Sequence, residues 1–258
     1  MRNHRNHPAG AYVIRLAGPE DLDGFMALAQ LAGPGFTSLP ADRRKLASIL
    51  EASAAASAGA PGAVMLAMED LASKKIAGCA AVKRGGEKRP GFANFRTGGD
   101  ASGAVRTLTV TDEYADLTEI GGLFVRPDHR SKGVGKALAQ SRYLYLATAP
   151  ETFGARVFAE LRGVIDDDGV SPFFDAASKP FLGMNFIEAD RLCAAGENAR
   201  LAALLPKTPI STEAFPPEAK AAIGACHKTG AAARAMLEKE GFRFEGVVDL
   251  LDGGALVA

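Results

Sequence analysis

One stretch constrains the fold of this chain more than any other: Leu123-Phe124-Val125-Arg126-Pro127-Asp128-His129-Arg130-Ser131-Lys132-Gly133-Val134-Gly135-Lys136-Ala137-Leu138. It predicts an apolar strand, a tight basic turn rich in glycine, and then a helix. The turn carries Arg-x-x-Gly-x-Gly from Arg130 to Gly135. That order places several backbone N–H groups at a helix N-terminus, where the positive end of the helix dipole favours a phosphate. Arg130 and Lys132 add formal charge at the same spot. The expected feature is a strand that ends in a pyrophosphate cradle.

The flanking sequence predicts how that cradle is framed. A strand over 11–16 is followed by a helix opening at Pro19-Glu20-Asp21, with Leu22, Phe25, Met26 and Ala29 at helical spacing. Gly33-Pro34-Gly35 breaks it, and Pro40-Ala41-Asp42 opens a second helix. The alanine- and serine-rich run 52–60 reads as the frayed end of that helix and a linker. Strands over 63–69 and 76–83 form an antiparallel hairpin. Residues 84–103 read as a loop, 105–111 as a third hairpin strand, 117–125 as the strand feeding the turn and 134–147 as the following helix. A strand over 157–165, a helical stretch over 172–182, a helix over 231–240 stopped by Gly241 and a strand over 244–250 complete the pattern. Gly183-Met184-Asn185-Phe186 and Glu240-Gly241-Phe242 look like two versions of one helix-to-strand junction. Hairpins followed by strand–helix–strand predict an α+β fold.

Composition removes several classes of function. The 258 residues carry 30 basic and 30 acidic side chains, so no basic excess argues for nucleic acid. Cys79, Cys193 and Cys226 are too few and too scattered for a disulfide framework or a zinc site, and no metal is expected. Reduced thiols suit a cytoplasmic protein. No apolar run approaches the ~20 residues of a membrane helix. Residues 1–11, with His4 and His7, lack the apolar core of a signal peptide and are expected to form a flexible tail.

The strand–turn–helix resembles the acyl-CoA site of the GCN5-related N-acetyltransferase superfamily. The resemblance implies a mixed, mainly antiparallel sheet flanked by helices. In that superfamily the strand before the turn splays from its neighbour, pairs with the pantetheine arm, and hands the pyrophosphate to the turn. Leu123, Phe124 and Val125 would then be the pantetheine edge, and Arg130, Ser131, Lys132, Gly133, Val134, Gly135 and Lys136 the phosphate cradle. A closer similarity runs from about Val13 to Gly254. Thr37-Ser38-Leu39-Pro40-Ala41, Leu161-Arg162-Gly163-Val164-Ile165-Asp166, Ser171-Pro172-Phe173, Ala189-Asp190-Arg191-Leu192-Cys193, Leu205-Pro206-Lys207-Thr208-Pro209-Ile210, Leu237-Glu238-Lys239-Glu240-Gly241-Phe242-Arg243 and Asp252-Gly253-Gly254 resemble, in order, the arginine N-succinyltransferase family. This implies one acyltransferase-like domain over 12–258, with room for a smaller subdomain from about 187. It also implies succinyl transfer from succinyl-CoA, as co-substrate and with no permanently bound cofactor, to the α-amine of L-arginine, at the start of a catabolic route. By the same resemblance His227 is the catalytic histidine and Leu123 a succinyl-CoA contact. Gly121-Gly122 stands where the family carries Cys-Thr or similar, and the family's members continue past the Asp-Gly-Gly block. Another amine acceptor such as ornithine, acetyl-CoA as donor, or a CoA-binding subunit completed by a second polypeptide are alternative readings. A homo- or hetero-oligomer is left open.

Aminolysis of a thioester needs a neutral amine, yet an α-amine with a reference pKa of about 8 is largely protonated at neutral pH. A positioned general base is typically worth about 10²–10⁴-fold, and the tetrahedral oxyanion needs a donor such as a backbone N–H near Leu123 or Val125. Of the histidines, His129 falls in the turn. By its residue chemistry alone His227 reads as a surface or helix-capping histidine ahead of Thr229-Gly230; the family resemblance makes it the proton-transfer group. Cys226 beside it reads as a buried structural thiol. Glu119 is either a base acting through water, sharing a strand face with Leu123 by the period of two, or a solvent-exposed strand-end carboxylate. Glu160 and Arg162 share a face and form an ion pair or read a substrate's guanidinium and carboxylate. Asp166-Asp167-Asp168-Gly169 reads as a turn, and Phe173, Phe174, Phe181 and Phe186 as core.

Overall fold

The computed structural model describes residues 11–32, 38–130 and 133–258. The expected tail with His4 and His7, the Gly33-Pro34-Gly35 break, Thr37, and Ser131 and Lys132 of the turn lie outside the described residues. In chain order the elements are β1 (Tyr12–Leu16), α1 (Leu22–Ala32), α2 (Arg43–Ser57), β2 (Ala63–Asp70), β3 (Ile76–Lys83), β4 (Asn94–Gly99), β5 (Val105–Thr111), β6 (Thr118–Val125), α3 (Val134–Leu146), α4 (Pro150–Phe153) and β7 (Val157–Glu160). They continue with α5 (Pro172–Ala177), α6 (Lys179–Leu182), α7 (Phe186–Ala194), α8 (Asn198–Leu204), β8 (Ile210–Ser211), α9 (Pro217–Ala222), α10 (Ala231–Lys239), β9 (Phe244–Asp249) and β10 (Ala255–Val257). The chain divides into two compact units, Met1–Arg84 with Thr118–Ala155, and Gly85–Leu117 with Arg156–Ala258. Position 187 lies within α7 of the second unit.

The first unit is built on antiparallel strands ordered β1-β2-β3-β6. Alternation along β2 sends Met65 and Ala67 to one cluster, with Phe25, Leu28, Leu46 and Leu50 of α1 and α2, and Leu66 and Met68 to another, with Leu138 of α3. Both faces of the strand are therefore covered, which is why β2 and β3 read as near-continuous apolar runs. Small residues in β3 let the helices approach: a side chain at Gly78 would meet the Phe124 carbonyl at 2.7 Å and Leu138 at 3.0 Å. The Asp42 carboxylate caps α2 by accepting from the N–H groups of Arg44 and Lys45 at 2.9 and 3.0 Å. The expected frayed end at 52–60 is instead helix to Ser57. Ser53 is fully buried and its Oγ accepts from the Met65 N–H at 2.8 Å, so the alanine-rich turn is sewn to β2.

The second unit holds antiparallel strands ordered β7-β10-β9-β4-β5-β8. Phe95, Leu108, Phe173, Phe174, Phe186, Leu201 and Val248 pack into its larger core, and Tyr114, Phe158, Val247 and Leu256 into a smaller one. The expected α+β class with mainly antiparallel pairing and flanking helices holds in both units. Four expectations within this unit change. The loop over 84–103 contains β4, which pairs with β5 and with the distant β9. The strand over 157–165 stops at Glu160; beyond it the Leu161 N–H donates to the Ala255 carbonyl at 3.0 Å, and Gly163 then runs too close to Asp252-Gly253-Gly254 for a side chain at Gly163 or Gly254. Phe186 opens a helix rather than a strand, since the Asn185 side chain accepts from the Glu188 N–H at 2.9 Å and Glu188 accepts from the Asn185 N–H at 3.0 Å. Phe181 is 38% exposed and is not core.

Candidate active site

The residues expected to carry chemistry fall into two groups, one in each unit. In the first unit β6 pairs with β3 in register except at one point: Cys79 faces Phe124 and Ala81 faces Gly121, so Gly122 and Leu123 together oppose Ala80. This is a β-bulge, which takes one residue's amide groups out of the ladder and turns the strand. Gly122 adopts φ +58°, and a Cβ there would sit 2.9 Å from the Ala81 Cβ. Its carbonyl accepts from the Cys79 thiol at 3.5 Å. The extra residue shifts the alternation. Leu123 and Val125 lie on the α3 side with Leu138, and Phe124 on the α1–α2 side with Cys79 and Ala81.

The bulge corrects the reading of Glu119. Paired with Lys83 in register, Glu119 shares a face with Gly121 and Phe124, not with Leu123. Nor is it solvent-exposed: it is 6% exposed and its Oε1 lies 2.8 Å from the Lys83 Nζ.

Beyond Val125 the chain bends through a short 3-10 turn at Pro127–His129 and enters α3 at Gly133, whose φ of +91° makes it a left-handed N-cap. No helix carbonyl lies ahead of the N–H groups of Val134, Gly135 and Lys136. Open space surrounds the positions where side chains would stand on Gly133 and Gly135. The bend is held from three sides. The Arg126 N–H donates to the Ala77 carbonyl at 2.9 Å, the Arg130 Nε donates to the Val125 carbonyl at 2.9 Å, and the Tyr12 hydroxyl lies 3.0 Å from the His129 Nδ1. Arg130 also stands 5.6 Å over the Phe124 ring, so part of its guanidinium serves to brace the bend. What this arrangement offers chemically is an open set of main-chain donors at the N-terminus of α3, suited to an anion. A groove of about 600 Å³ elsewhere in the unit, lined by Ile14, Leu16, Leu66, Ala137 and Leu144, includes none of the expected site residues.

In the second unit His227 is half-buried at the start of a 3-10 turn over Lys228–Gly230. Its N–H donates to the Arg162 carbonyl at 2.8 Å, which ties it to the segment following β7. Its Nδ1 lies 2.8 Å from the Thr229 Oγ1 and accepts from the Thr229 N–H at 3.3 Å. The capping reading of His227 is therefore correct as local structure. The two contacts at Nδ1 suit opposite tautomers: the Thr229 N–H can only donate to a lone pair there, whereas the Thr229 hydroxyl can also accept from an Nδ1–H. Neighbouring Cys226 is half-buried and lies outside any strand, beside the Arg234 guanidinium.

Around Arg162 stands a set of carboxylates whose roles the sequence did not disclose. The Asp190 Oδ1 is 4.0 Å from the Arg162 guanidinium, and burial raises its carboxyl above the usual range although Arg162 opposes the shift. The Asp252 carboxyl is pushed up to about 7, chiefly by burial and then by the charge of Asp249, against N–H donors from Gly254 and Gly163 and the charge of Arg162. Asp249 accepts from the N–H groups of Leu251 and Asp252 at 2.8 Å each. Asp190 and Asp252 both lie in blocks the sequence singled out; burial, the signal that marks them, is not readable in one dimension. Asp166 forms the expected turn, accepting from the N–H groups of Asp168 and Val170 at 3.0 and 2.8 Å. Cys79 is fully buried and its thiol is pushed up to about 12, which leaves it inert. Among the described residues no group of His, Cys, Asp and Glu is arranged to hold a metal, and no helix is long and apolar enough to cross a membrane.

Comparison with known proteins adds a family. The profile of a family described as arginine N-succinyltransferase beta subunit matches residues 12–258. An arginine N-succinyltransferase of Enterobacter sp. (strain 638) is 36% identical over 254 residues, covering 94% of this chain and 74% of its own. One from Escherichia coli (strain K12 / DH10B) is 35% identical over the same shares. Among solved structures, arginine/ornithine succinyltransferase subunit AI from Pseudomonas aeruginosa superposes with a TM-score of 0.78 at 27% identity, covering 95% of this chain and 76% of that one.

Proposed function

The chain belongs to the arginine N-succinyltransferase family, and on that premise we propose that it transfers the succinyl group of succinyl-CoA to the α-amine of L-arginine in the cytoplasm. The observation that carries this reading is the bulged β6 leading into an open, glycine-capped helix N-terminus. The diphosphate of the donor lies against the N–H groups of Gly133, Val134, Gly135 and Lys136, and the pantetheine arm along Leu123, Phe124 and Val125. A main-chain N–H released by the bulge stabilises the oxyanion, as donors outside a ladder do.

His227 is the proton-transfer group. The amine nitrogen bonds to the thioester carbon, and His227 takes the proton that nitrogen loses. As the C–S bond breaks, the same proton passes from Nε2 to the departing thiolate. No covalent enzyme intermediate is needed. The charge of Asp249, which acts on both Asp190 and Asp252, supplies negative potential that a guanidinium-bearing acceptor favours.

The direct test is release of CoA thiol by the purified protein given succinyl-CoA and L-arginine, with ornithine and acetyl-CoA as competitors. Sustained turnover that is fastest with succinyl-CoA and arginine is expected. A preference for ornithine would move the acceptor, a preference for acetyl-CoA the donor. Absence of turnover with every pair would leave a CoA-binding subunit as the correct reading.

A further inference from the structure

The ring of His227 has a partner that suits every state of a proton carrier. A base working at Nε2 needs its lone pair there, so Nδ1 must carry hydrogen. The Thr229 N–H, 3.3 Å from Nδ1, favours the opposite tautomer because it can only donate. The Thr229 hydroxyl, 2.8 Å from the same atom, is closer and can donate or accept. When it accepts from Nδ1–H, Nε2 is free to receive a proton. The ring then becomes an imidazolium and returns that proton from Nε2, and the Nδ1–H to Oγ1 bond persists throughout. Thr229 is exposed, so nothing in the core requires its hydroxyl.

We propose that Thr229 is a positioning residue for His227, its hydroxyl holding Nδ1 so that the proton enters and leaves at Nε2. This rests on the reading of His227 as the proton-transfer group. Thr229→Val keeps the shape and leaves only the peptide N–H at Nδ1; Thr229→Ser keeps the hydroxyl. Two readouts are taken: kcat and both KM values, and the ¹⁵N shifts of the His227 ring nitrogens, assigned by their loss in His227→Gln.

Thr229→Val is expected to lower kcat roughly tenfold or more, within the span of a positioned base, with both KM values little changed. Its Nδ1 shift moves toward the unprotonated position. Thr229→Ser restores kcat and shift together. Wild-type shifts in Thr229→Val, or wild-type kcat despite moved shifts, would overturn the assignment. Full turnover in His227→Gln would instead sink the reading of His227, while the shifts still decide whether Thr229 sets the tautomer.

Discussion

Gly122 meets two demands at once, a backbone in the left-handed region and a neighbour, Ala81, too close for any Cβ. Gly122→Ala is expected to cost about 1–3 kcal/mol in urea unfolding, from backbone strain and crowding together. In the double variant with Ala81→Gly the crowding is relieved and the strain remains, so part of the loss returns. Full recovery would show that the backbone tolerates alanine and that only the contact mattered. At this scale the sequence was readable where chemistry is local. Gly133 falls where the turn motif requires it, and His227 lies beside the Thr229-Gly230 that it caps. It was not readable at Glu119, because a single extra residue at Gly122–Leu123 reverses the faces of everything after it. Lys83, which neutralises Glu119, is 36 residues away in sequence.

Among the elements, α3 and the bend before it are the most legible, because strand, turn and helix follow one another directly in sequence, although Ala77 and Tyr12 brace the bend from afar. The N-terminus of α3 also yields the clearest prediction. Gly133→Glu places a carboxylate where the proposed diphosphate lies and puts a β-carbon on a residue at φ +91°. It is expected to raise the KM for succinyl-CoA about tenfold or more and to lower stability by about 1–2 kcal/mol. Gly133→Ala carries the backbone cost without the charge, so calorimetric CoA binding in the two variants separates the effects. Equal binding by both would remove the diphosphate from this place. Less legible elements depend on distant partners. β4, with its two terminal glycines, is a strand because β5 and β9 pair with it, and Asn94 and Asp249 lie far apart along the chain. Likewise α7 begins where a capping box forms at Asn185, although Gly183 before it reads as the close of a helix ahead of a strand.

Stability against pH is a property of the whole molecule, and Asp252 gives it a sign. A carboxyl raised to about 7 from its ordinary 3.8 holds a proton in the folded chain that the unfolded chain has already released. Its contribution is complete below about 4 and is lost as pH rises through 7. Asp252→Asn is expected to hold its melting temperature between pH 5 and pH 8.5 better than the wild type does, while keeping an oxygen to accept from Gly254. Parallel melting curves for the two proteins over that range would show that Asp252 is ionised throughout. The overall class, α+β with antiparallel pairing, could be read from hairpins and glycines; the order of the strands could not, because register is set in three dimensions. That order has a bearing on biosynthesis. β10 leaves the ribosome after β7 and β9, yet it is the strand that joins them. Until it emerges, two sheet margins wait with unsatisfied amides, and a chaperone that shields exposed strands would find its substrate in that interval.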